Sequence, residues 1–147
     1  MRRVRRAAVF LALASLLFAR GAGAAGASTV ADFQARFAQT VWAAQQTEAI
    51  LRTLPQTSTP VSTPDGLGAY VLLLGENVSA LNSLAAARPL TDADRKAFAD
   101  GLRVVSASLQ DQAALAGNRG LIGVVSSFSS FAESCRSSVA QLSATKP

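Results

Sequence analysis

The chain reads as an all-α protein, an antiparallel four-helix bundle preceded by a cleaved signal peptide. Three observations predict it. Residues 1–27 pass from basic to apolar to small side chains, four later stretches repeat apolar residues every three or four positions, and no stretch alternates convincingly as a strand.

The leader carries Arg2, Arg3, Arg5 and Arg6, an apolar run from Ala7 to Phe18, then Arg20 and the small residues Gly21 to Ala27. A basic end held in the cytoplasm, a short greasy helix and small side chains before the scissile bond are what export requires. Ala25-Gly26-Ala27 fits the peptidase pocket best, with Ala22-Gly23-Ala24 second. A membrane anchor is the competing reading, but 12 apolar residues fall short of the roughly 20 a spanning helix needs. The expected location is therefore outside the cell: extracellular or wall-bound, or periplasmic in a bacterium.

Composition changes once the leader is set aside. The net charge is +5, from 14 basic and 9 acidic residues. Five basic residues (Arg2, Arg3, Arg5, Arg6 and Arg20) and no acidic ones lie in the leader, which leaves 9 of each. The basic isoelectric point, about 10.7, belongs to the leader, and a nucleic-acid partner is not expected without a basic stripe. Residues 28–147 suit one domain with one core. Cys135 is the only cysteine, so it either pairs with a second chain or sits in the core as a small hydrophobe. The absence of histidine removes the usual triads, dyads and zinc sites.

The first helix is expected from about Val30 to Leu54, with Phe33, Phe37, Val41, Ala44 and Leu51 along its stripe and Pro55 ending it. Trp42 lies at the edge of that stripe and reads as core margin, with ligand stacking as the alternative. Residues 55–64 contain Pro55, Pro60 and Pro64 among serines and threonines, which excludes helix and predicts a semi-extended linker. Such a segment is either a plain connection or, in a eukaryotic secreted protein, a site of O-glycosylation.

The second helix begins near Asp65 or Leu67 and runs to Arg88 before Pro89, with Leu67, Val71, Leu74, Val78, Leu81 and Ala85 on one face. Asn77-Val78-Ser79 is an N-glycosylation sequon, usable only if Asn77 points partly outward, since Val78 is on the core stripe. Thr91-Asp92-Ala93-Asp94 opens the third helix with a capping hydroxyl and two acids at the positive dipole end. Its stripe continues through Phe98, Leu102, Val105, Leu109, Ala113 and Ala116. Gly117-Asn118-Arg119-Gly120 is a tight turn, which favours antiparallel neighbours.

The fourth helix, Leu121 to about Ser143, places Val124, Phe128, Phe131, Cys135, Val139 and Leu142 on its stripe. Its other faces carry Ser126, Ser127, Ser129, Ser130, Ser134, Ser137 and Ser138, with Glu133 and Arg136 as the only charges. That hydroxyl-rich surface is either a solvent face or a contact for a protein partner. Up-down-up-down is the default topology, and the linker at 55–64 is long enough for a crossover.

No catalytic set emerges. Asp92, Asp94 and Asp100 do not match a calcium loop, Lys96 and Lys146 lie in polar settings unsuited to a serine-lysine dyad, and the glycine-rich stretches lack a strand and lysine for a phosphate loop. A non-enzymatic protein without metal or cofactor is expected. Phe33, Phe37, Phe98, Phe128 and Phe131 either fill the core or line an apolar channel for a fatty acid.

The signal peptide, the cysteine-poor Ala/Ser/Thr-rich helical domain, the Pro/Thr break after the first helix and Pro-Leu-Thr-Asp-Ala-Asp at 89–94 together resemble the hydrophobic-surface-binding protein A and cell-wall galactomannoprotein family of fungi. The resemblance spans about Val30 to Leu142 and rests on layout and one short segment. It implies a secreted or wall-associated protein that adsorbs to apolar surfaces or holds fatty acids, and some relatives contribute to infection. The functional expectation is thus a secreted binder of lipid or hydrophobic surfaces. The alternative is a secreted interaction factor, such as a virulence effector, acting through the fourth helix.

Overall fold

The computed structural model describes residues 27–87 and 89–144; the expected leader lies outside them. The described residues form four helices and no strand: α1 (Ala27–Thr53), α2 (Asp65–Ala85), α3 (Asp92–Gly117) and α4 (Ile122–Ala144). Their ends follow from local chemistry. Pro55 lies two residues beyond α1, and Thr91 caps α3 by accepting the Asp94 amide at 3.0 Å. Gly120 takes φ +70 in the turn before α4. α2 stops three residues before Arg88, where the Ala86 and Ala87 amides close the last turn on Asn82 and Leu84 carbonyls, because Pro89 disfavours helix in the residues before it.

Contacts between named residues set the helix directions. Arg36 reaches Asn77 and Trp42 meets Tyr70, so α1 and α2 run antiparallel. Phe33 stacks on Phe98 and Thr47 bonds Gln112, so α1 and α3 run parallel. Asn82 contacts Ser134 and Ser138 while Gly75 faces Phe131, making α2 and α4 parallel as well. The short turn makes α3 and α4 antiparallel neighbours, with Ser106 donating to the Ala132 carbonyl. Directions therefore alternate as up-down-up-down, but α2 and α3 occupy diagonal corners. The crossing connection is 86–91. The 55–64 linker, expected as the place for any crossover, instead joins two neighbours and lies across the α3–α4 turn through Thr57 and Val61 amides bonded to Asn118 and Gly120 carbonyls.

The core follows the four stripes. Phe33, Phe37, Phe98, Phe128, Leu51, Leu67, Leu74, Leu81, Leu102, Leu109 and Leu121 are all fully buried, each stabilising by roughly 1.5–3 kcal/mol. Leu54, Ala113, Phe131 and Val139 pack at its margin. Polar residues join it too: Thr40, Thr47, Asn77, Asp94, Ser106 and Gln112 are 5% exposed or less.

Every adjacent helix pair carries a polar tie. Gln112 donates to the Ala44 carbonyl at 2.8 Å while Thr47 donates to Gln112 Oε1, joining α1 to α3. Asn82 donates to Ser134 Oγ at 3.0 Å and accepts from Ser138 at 2.7 Å, joining α2 to α4. Arg36 to Asn77 and Ser106 to Ala132 complete the ring. A buried polar group without its partner costs about 1–3 kcal/mol, so these ties penalise any other order or register of helices.

Candidate functional site

The five phenylalanines do not meet in one place. Phe33 and Phe98 stack with centroids 4.0 Å apart and planes 7° from parallel, and Phe37 lies 6.5 Å from Phe33. Gly101 makes room for this trio, since a Cβ there would come within 3.3 Å of Phe33 and 3.4 Å of Phe37. Phe128 is fully buried on α4, and Phe131 is half-buried with its ring edge over Gly75 on α2. The Phe33, Phe37 and Phe98 rings pack against one another and against Gly101, and Phe131 packs against Gly75, as core side chains do.

Asn77 requires a correction. It is 0% exposed, its amide donates to the Leu73 carbonyl at 2.9 Å, and its carbonyl oxygen accepts from Arg36 at 3.3 Å. A glycan on that nitrogen has no room in this fold, because the sequon reads the chain locally whereas α1 covers the residue.

Trp42 requires the opposite correction. Placed by the stripe at the core margin, it is 48% exposed and meets Tyr70 edge-on, with ring centroids 5.5 Å apart. Within one turn on α1 it is surrounded by uncharged residues, including Ala38, Gln39, Gln45 and Gln46; within one turn of Tyr70, α2 is also uncharged. An aromatic pair with one side packed and the other wet suits a boundary between water and an apolar phase. Leu72, elsewhere on α2, is 73% exposed.

The serine face of α4 is divided in use. Ser134 and Ser138 belong to the tie with Asn82, and Ser127 bonds back to the Gly123 carbonyl. Ser126, Ser129, Ser130 and Ser137 remain exposed. Asn82 is the residue the periodicity missed. Its signal was an amide flanking the α2 stripe, opposite a helix with hydroxyls four residues apart.

Cys135 is fully buried with a free thiol. Burial pushes its pKa up to about 11, only partly opposed by a hydrogen bond with Ser134, so it stays protonated and weakly nucleophilic at neutral pH. Pairing with a second chain would require the fold to open.

A concavity of about 430 Å³ lies between the first turns of α3 and the end of α4, floored by Ala99 and Leu142. Its rim is a chain of ion pairs within α3: Arg95 with Asp92, and both Lys96 (3.4 Å) and Arg103 (3.0 Å) with Asp100. Among the described residues no three His, Cys, Asp or Glu side chains cluster as a metal site would, and no helix is long and apolar enough to cross a membrane. A scan of family models, of curated proteins and of solved structures found no match to this chain.

Proposed function

We propose that this is a secreted, non-enzymatic helical protein that binds lipid or other hydrophobic surfaces at the cell exterior. The observation that supports this most is the half-exposed Trp42 against Tyr70, in surroundings without charge. Indole and phenol rings combine large apolar area with a polar edge, so they can enter an interface without stranding a polar group. The tight packing of Phe33, Phe37 and Phe98 favours adsorption through the exterior over storage of an acyl chain inside. This reading agrees with what the sequence resemblance implies.

Trp42 is the only tryptophan, so its fluorescence reports directly on the surface. Titration with phosphatidylcholine vesicles is expected to shift its emission saturably to shorter wavelength. Trp42→Ala, followed by co-sedimentation, is expected to weaken binding about tenfold, the equivalent of ~1.4 kcal/mol of lost apolar contact. An unchanged spectrum across the titration sinks the proposal.

A second reading, a secreted factor that engages a host or cell-surface protein, is supported by the exposed hydroxyls Ser126, Ser129, Ser130 and Ser137 on α4. Charge placed at Ser130 should then abolish recovery of a partner from a host or cell-wall extract. Equal recovery by Ser130→Glu and the parent removes that face from consideration.

A further inference from the structure

We infer that residues 55–64 act as a strap that opens as a unit across the end of the bundle while the four helices stay assembled. Three prolines keep the segment out of helix, so it has no internal ladder of its own. It is held by the Thr57 amide on the Asn118 carbonyl at 2.9 Å and the Val61 amide on the Gly120 carbonyl at 3.0 Å. Between these two bonds the strap lies directly on Gly120, where a Cβ would fall 2.2 Å from the Thr59 carbonyl oxygen. Glycine is required there twice, for that approach and for φ +70.

Little apolar burial reinforces these bonds. From Ser58 to Thr63 every side chain is exposed, Val61 included at 46%. Helix amides, by contrast, are locked behind Leu67, Leu109 and Leu121, each 1% exposed or less. Regions with few buried contacts open locally at far lower cost than the global transition. Between the two bonded residues, Arg119 is 8% exposed, bonds the Leu115 carbonyl through Nη1 at 3.2 Å and leaves Nε without a partner. The open state presents the Asn118 and Gly120 carbonyls at the bundle end. The device is independent of the Trp42 surface.

Residue-resolved hydrogen exchange on the purified protein tests this. The Thr57 and Val61 amides are expected to exchange at least about a hundredfold faster than those of Leu74 and Leu109, at a rate indifferent to low urea. Gly120→Ala should speed Thr57 and Val61 at least about tenfold more, still at a rate indifferent to low urea, while the core amides keep their urea dependence. If that variant does not fold, Val61→Pro deletes one donor and should speed Thr57, again with no dependence on low urea. Exchange of Thr57 and Val61 in step with the core, with the same urea dependence, overturns the strap. So does a folded variant in which Thr57 exchanges no faster than in the parent.

Discussion

A thiol's chemistry is set by what surrounds its sulfur, and at Cys135 that is the interior of the bundle. Its ordinary value of 9.0 is raised to about 11 by burial. The folded state therefore holds the thiol proton more tightly than the unfolded chain does. This contribution to stability is fully present below pH 9 and is lost as pH rises toward 11, by roughly 3 kcal/mol over the whole window. Cys135→Ala should remove that component, so the difference in urea midpoint between parent and variant should change between pH 9 and 11 and stay constant below. A thiol reagent at pH 7 should label the parent only after denaturation. Asn77 gives a second residue-level expectation. Folded protein secreted from a eukaryotic host should show no mass change at this position on treatment with an N-glycanase, because both ends of its amide are engaged inside the fold.

Between elements, apolar stripes bring helices together but do not say which belong side by side. The α2–α4 contact illustrates this. Gly75 admits the Phe131 ring, with a hypothetical Cβ only 2.8 Å from its Cζ, and Asn82 joins the two serines of α4. Asn82→Ala removes two hydrogen bonds at a half-buried site and should cost about 1–2 kcal/mol in urea unfolding. Ser130→Ala, at an exposed position of the same helix, should change stability by less than about 0.5 kcal/mol. Equal effects of the two would mean that the hydroxyl face is solvent throughout. The helix ends were legible because proline, the Thr91 cap and the glycine turn act within a few residues. The ties were not, because each partner lies on another helix.

At the scale of the whole molecule, the Thr47–Gln112 tie is the most buried test of how the bundle chooses its helix order. Gln112 is 2% exposed and Thr47 0%. Gln112→Leu strands Thr47 from one partner and should cost about 2 kcal/mol or more, whereas Thr47→Val with Gln112→Leu should recover most of that loss, since paired polar groups can be exchanged for apolar ones at little cost. Equilibrium unfolding of the two single variants and the double variant measures this coupling. Additive losses would show that the two side chains act independently.

The sequence by itself determined the four helices, most of their buried stripes and the turn between α3 and α4. Apolar periodicity, prolines, caps and glycine are local signals that any compact packing must respect. It also determined that no histidine chemistry exists here and that the excess positive charge belongs to the first 27 residues. Only the tertiary structure decided that α2 and α3 sit on a diagonal, that Asn77 and Gln112 are inside, that Trp42 is half outside, and that the linker lies over the turn. The physical reason is that Ala, Leu and Val stripes are nearly interchangeable as packing partners. What distinguishes one arrangement from another is the pairing of a few buried polar groups and the close approach that Gly75, Gly101 and Gly120 permit, and both depend on residues far apart in the chain.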